Sequence, residues 1–151
     1  MNSLRNVGGS PENRARFLAV AERVTLAHRV VAHEPRHLGA LELLGLSLLR
    51  EEAFADVVGV ANRLLALNPY EAGYHSLKGL AMQGLGRYGE SAASLRRDPA
   101  ALPALWNLEQ AQSRLIENLL QEDPKFARAY AASPARSLRE RGFNAVAHFT
   151  S

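Results

Sequence analysis

Apolar residues along this chain recur at three- and four-residue steps in separate runs, and prolines and glycines divide one run from the next. The first run is Phe17, Val20, Val24, Ala27 and Val31, behind Ser10-Pro11-Glu12. A serine cap with proline at the first helical position starts a helix there, and the spacing predicts a helix over residues 11–33. The second run is Leu41, Leu44 and Leu48, and the third is Val57, Val60 or Ala61, Leu64 and Leu67. Such steps fall on one face of a helix, so each run predicts an amphipathic helix. From Pro103, the positions Leu105, Leu108, Ala111 or Gln112, Leu115 and Leu119 continue to Asp123-Pro124 without a turn signal, which predicts one helix of about 19 residues. Shorter helices are expected over residues 125–132 and 135–141, parted by Ser133-Pro134. The fold class predicted is all-α.

The runs repeat in phase. Pro35, Pro69 and Pro103 are evenly spaced, and the same interval separates Gly45 from Gly79 and Phe54 from Tyr88. Each class has its own task in a helical hairpin. Proline cannot donate to the preceding turn and pushes the residue before it out of the helical region, so a helix ends near Glu34-Pro35 and near Asn68-Pro69. A glycine inside a helix costs about 1 kcal/mol against alanine, so Gly45 and Gly79 imply close approach of a neighbouring helix. Phe54 and Tyr88 each open a second helix, where a ring can plug the hairpin's interior. Asp98-Pro99 breaks the pattern shortly before the in-phase Pro103, so the helix after Tyr88 is expected to be short or kinked.

With Leu38 as first position, Leu41, Leu44, Gly45, Leu48, Phe54, Leu67, Asn68 and Pro69, and then Gly79, Met82, Gly86, Tyr88 and Glu90, make the chain resemble the tetratricopeptide repeat family. The interval matches as well, since that family's unit is about 34 residues long. His75, Lys78 and Val57 depart from the family pattern, and Leu41 and His75 stand where a large aromatic is usual. The resemblance covers about 66 residues directly. It implies a short right-handed superhelical solenoid of antiparallel helix pairs with capping helices. The units would lie at about 38–71 and 72–103, with a divergent third unit at 103–124 that carries Leu105-Trp106-Asn107-Leu108. Residues 11–124 would form the repeat domain, residues 1–10 a flexible tail, and residues 125–151 a basic capping or tail segment.

In that family the first helix of each pair lines a concave groove that holds a peptide or helix of a partner. Carried over by position, the groove residues are Gly39, Glu42, Leu46 and Arg50 in one unit and Ser76, Leu80 and Gln83 in the next. Leu46 and Leu80 are equivalent, and would be either an exposed apolar stripe or residues buried under a cap. Members that clamp a chaperone's terminal carboxylate use lysine and asparagine on this face. Glu42 and Ser76 occupy one such position here, and Leu46 and Leu80 another, so that specificity is not expected.

Composition narrows the function. With 151 residues, 47% hydrophobic and 22% charged, the chain should fold as one domain or a short solenoid. It has no cysteine, and hence no disulfide or thiolate zinc site. The net charge of +3 divides into +3 over residues 1–37, −4 over 38–124 and +4 over 125–151. An excess this small marks a solvated surface, so a nucleic-acid partner is not expected. Neither a secretory signal nor a membrane span is legible, and the cytoplasm is the expected compartment.

Candidate chemistry is sparse. His28, His33 and His37 surround Pro35, so no continuous helix holds a ligand pair, and no metal is expected at these or at His75 and His148. Gly84-Leu85-Gly86 follows no strand and reads as an interhelical turn, not a phosphate loop. Glu51-Glu52 sits at a helix junction, where carboxylates face water. No cofactor and no catalytic activity are expected. The expected function is a protein-interaction scaffold, an element of a bacterial-type assembly that takes a partner's peptide or helix in its groove. Two alternatives stand beside it. One is self-assembly through the groove, the Trp106-bearing helix or the apolar tail from Phe143 to Phe149; the other is a tail that serves as substrate for a modifying enzyme.

Overall fold

The computed structural model describes residues 10–145, and every regular element among them is helical. Helix α1 spans Pro11–His33, α2 Leu38–Arg50, α3 Phe54–Leu67, α4 Ala72–Gly84 and α5 Tyr88–Leu95. A 3-10 turn at Pro99–Ala101 leads into α6 at Leu102–Glu122, followed by α7 at Pro124–Ala132 and α8 at Pro134–Glu140. The tail expected over residues 1–10 lies outside the described residues except for Ser10, and so do Val146, His148 and Phe149.

Local chemistry sets the boundaries. Helices α1 and α3 each stop two residues before a proline, at His33 and Leu67, because the residue preceding proline is driven out of the helical region. The chain restarts with side-chain caps where they are available. The His37 imidazole accepts the Ala40 amide at 3.1 Å, and the Asp123 carboxylate accepts the Lys125 and Phe126 amides, each at 3.1 Å. Each of these bonds satisfies a donor that the first helical turn leaves open. Asp98 likewise accepts from the Ala100 amide and starts the 3-10 turn. Proline after Asp98 cuts α5 to 8 residues against 14 in α3, the shortening that the out-of-phase Asp98-Pro99 implies.

The turns after α2 and α4 share one hydrogen-bond pattern. After α2, the amides of Glu51, Glu52 and Ala53 donate to the carbonyls of Ser47, Leu49 and Leu48; after α4, those of Leu85, Gly86 and Arg87 donate to Ala81, Gln83 and Met82. Every donor and acceptor is displaced by the interval that separates Gly45 from Gly79. Both are Schellman caps, which need one residue in the left-handed region. Gly86 takes it at φ +77°, whereas Glu52 takes it at φ +59° with a side chain that makes the conformation costly. The end of α8 closes in the same way, with Gly142 at φ +79° and its amide and that of Phe143 donating to Arg139 and Leu138.

Sequence neighbours pack on each other from α1 to α8, and α2 also touches α4 directly. The core follows the chain as a succession of clusters. Ala27, Ala40 and Leu44 join α1 to α2, and Leu41, Val57, Ala61, Leu64, Tyr74, Leu77 and Ala81 join α2, α3 and α4. Ala92, Leu95, Ala101 and Leu108 join α5 to α6, and Ile116, Phe126, Leu138 and Phe143 join α6 to α7, α8 and the segment beyond. The mid-helix glycines sit at the tightest approaches. A Cβ on Gly45 would lie 2.8 Å from Leu77 Cδ2, and one on Gly79 would lie 2.8 Å from Leu95 Cγ and 3.2 Å from the Ser91 carbonyl oxygen. Ser91 Oγ donates to the Gly79 carbonyl at 2.6 Å across the same contact.

The two aromatic openers do more than fill their own hairpins. The Phe54 ring lies over Gly84, in the next pair, and Tyr88 stacks on Phe143 with ring centroids 5.4 Å apart. Phe143 is 6% exposed, so this part of the tail considered for insertion into a neighbour is packed within its own chain. The segment is pinned by backbone as well. Asn144 donates its amide to Gln112 Oε1 at 2.6 Å, Gln112 Nε2 donates to the Asn144 carbonyl at 2.9 Å, and Gly89 donates to the Gly142 carbonyl at 3.0 Å. Arg141 pairs with Asp123 at 2.9 Å and sits over the Phe126 ring. The Phe126 amide, with Arg141 adding to it, holds the Asp123 carboxyl below its ordinary value.

Candidate functional site

The seven residues expected to line a groove do not all meet. Glu42 and Leu46, one turn apart on α2, open onto a cavity of about 420 Å³ whose other walls are Leu64 of α3 and Glu71, Gly73, Tyr74 and Leu77 at the start of α4. Leu64 is closed to solvent and forms the floor. Leu46 is 53% exposed and its counterpart Leu80 36%, so neither is buried under a cap; among the described residues both present apolar surface to solvent. Gly39 is exposed on the first turn of α2, and Gln83 is half-buried near the end of α4. Arg50 faces elsewhere: with Ser47 and Glu51 it lines a separate cavity of about 530 Å³ against Arg16, Val20, Ala21 and Val24 of α1.

Ser76 is engaged. Its hydroxyl donates to Asp98, and that bond together with the Ala100 amide lowers the carboxyl's pKa below the ordinary carboxylate value. Glu42, the residue one repeat earlier, does the reverse and accepts from the Tyr74 hydroxyl across the gap between α2 and α4. The same register position thus supplies the carboxylate of a hydroxyl-carboxylate contact beside an open cavity in the first unit, and the hydroxyl of such a contact in the second.

The sequence pattern does not single out Tyr74, because the repeat register puts the aromatic position at His75. The ring of Tyr74 is 8% exposed and packs in the α2–α3–α4 cluster, while His75 turns to the Pro69 carbonyl at 3.1 Å. The hydrogen bond to Glu42, then burial, then the charges of Glu42 and Glu71 push the Tyr74 hydroxyl from 10.0 up to about 12. The sign follows from the neutral form being the donor: its contribution to stability is complete below pH 10.0 and is lost as pH rises toward about 12. Alkaline titration of tyrosinate absorbance should therefore show a late component in the native chain that Tyr74→Phe lacks. Identical curves would remove the hydrogen bond from the account.

Other titratable groups are dispersed. Among the described residues no group of three or more His, Asp or Glu could hold a metal ion, and no helix is long and apolar enough to cross a membrane. Large apolar side chains also stand exposed on α6, where Leu102 and Trp106, one turn apart, are 67% and 62% exposed. No family model, curated protein or solved structure matches this chain.

Proposed function

We propose that the chain is a non-catalytic interaction scaffold, built as a short solenoid of tetratricopeptide-like helix pairs, that binds a peptide or helix of a protein partner between α2 and α4. The observation that carries this reading is the open cavity of about 420 Å³ with Leu46 at its mouth, continued by the equivalent exposed Leu80. Supporting the repeat architecture are the two identical caps one repeat apart and the core that passes from one neighbouring pair to the next. An apolar strip with acidic edges is suited to a helix or extended segment that brings alternate apolar groups.

Affinity capture with native protein and with the Leu46→Glu/Leu80→Glu variant tests the groove, since both substitutions fall on exposed positions and leave the core intact. Partners that rebind the purified native chain should be lost from the variant; equal recovery would sink the reading. The exposed Leu102 and Trp106 favour a second reading, self-assembly through α6. Light scattering on the same preparations decides it, and a single-chain mass at every concentration would dismiss self-assembly.

A further inference from the structure

The walls of the groove carry a sign. Glu42 and Glu71 stand on two different helices and line one cavity with Leu46, Leu64, Tyr74 and Leu77. Glu71 is the N-cap residue of α4, and its Oε1 lies 3.7 Å from where a Cβ on Gly73 would be, so the carboxylate folds over the first turn of the helix. Both carboxylates act on the same hydroxyl, that of Tyr74, which places their fields at one point of the rim.

Among the described residues neither carboxylate is held in an ion pair. The ion pairs there are Arg87 with Glu90, Arg136 with Glu140 and Arg141 with Asp123, and Arg50 faces the cavity beside α1. An acidic segment entering this pit would meet like charges, and a neutral one would cover two carboxylates without pairing them. One step along the groove Ser76 replaces Glu42 and its hydroxyl already holds the Asp98 carboxylate, while Leu80 repeats Leu46. Apolar contact is thus available along the groove, whereas two carboxylates lining one cavity are found at the pit of Glu42 and Glu71 and can set the register of what lies in it.

We propose, resting on the groove reading above, that the bound segment is a basic-apolar peptide of a partner protein: an aliphatic side chain fills the pit between Leu46 and Leu77, and a lysine or arginine beside it lies between Glu42 and Glu71. The carboxylates select the cation and the apolar pit supplies the burial, the division of labour expected where exposed charges give specificity more than affinity.

A random dodecapeptide display library panned on the full chain tests this, with Leu46→Asn and Glu42→Gln/Glu71→Gln variants alongside. Glutamine keeps an acceptor for the Tyr74 hydroxyl while removing the charge, and asparagine removes the apolar contact without adding one. The native chain should enrich sequences with lysine or arginine next to leucine, isoleucine or methionine. The best such peptide should bind the Glu42→Gln/Glu71→Gln variant about three- to tenfold more weakly, and raised salt should weaken it on the native chain to a similar degree. A pool without basic excess that is lost on Leu46→Asn overturns the charge proposal and leaves the groove reading standing. A pool indifferent to Leu46→Asn, or no enrichment at all, overturns both. Salt-sensitive self-association abolished by Glu42→Gln/Glu71→Gln makes the occupant the basic end of a second copy, and overturns a separate partner.

Discussion

Replacing Gln112 with leucine is expected to destabilise the chain by about 2–4 kcal/mol, because two buried backbone groups of Asn144 lose their partners at once. Gln112 is 1% exposed and Asn144 4%, and the side-chain amide bonds both the main-chain carbonyl and the main-chain N–H of Asn144, at 2.9 and 2.6 Å. Leucine fills nearly the same volume, so the loss would come from the orphaned donor and acceptor and not from a cavity. The consequence reaches further than α6. The pair pins the segment whose Phe143 stacks on Tyr88 and whose Gly142 accepts from Gly89, so amide exchange at Asn144 and Gly89 should rise together. Urea unfolding with exchange read residue by residue checks it, and a variant of native stability with Asn144 still protected would show that the segment is held by Phe143 alone.

Leu64→Ala should cost about 2–5 kcal/mol, the range for truncating a closed aliphatic side chain where the surroundings relax only partly. Leu64 has no exposed surface and lies among Leu41, Val57, Ala61, Tyr74 and Leu77, the cluster that joins three helices. It also lines the cavity of the proposed groove, so the space that alanine leaves adjoins that cavity. Leu46→Ala, on the rim and 53% exposed, should change stability by no more than about 0.5 kcal/mol. The contrast is the useful measurement: similar unfolding midpoints for the two variants would mean that floor and rim are assigned wrongly. With a total stability of about 5–15 kcal/mol usual for a folded domain, either large effect would be felt at growth temperature.

Much of the helical layout is legible in the sequence because its causes are local. Ser10-Pro11 and the apolar steps after it predict residues 11–33, and α1 is Pro11–His33. Pro35 and Pro69 stop helices wherever the chain goes next, and Asp98-Pro99 shortens α5 for the same reason. Gly45 and Gly79 announce close approach, and Leu77 and Leu95 make it. The proposed groove is less legible. Position alone groups Arg50 and Ser76 with Glu42 and Leu46, yet Arg50 faces α1 and Ser76 is taken by Asp98. The register points to His75 where Tyr74 supplies the ring, since a repeat template assigns a residue type to a position and carries no information on a one-residue shift.

What the sequence determined by itself is therefore the set of helices and their ends, together with the repeat equivalence that recurs in the caps at Glu52 and Gly86. Capping, proline geometry and helical periodicity act within a few residues, so they can be read without knowing the fold. Tertiary structure decided which equivalent positions remain equivalent. Glu42 accepts from Tyr74 beside an open cavity, whereas Ser76 donates to Asp98; Gln112, indistinguishable from Ala111 in an apolar period, holds the main-chain N–H and C=O of the distant Asn144. Those outcomes depend on side chains brought together from distant parts of the chain, where small differences in helix length and volume choose the partner.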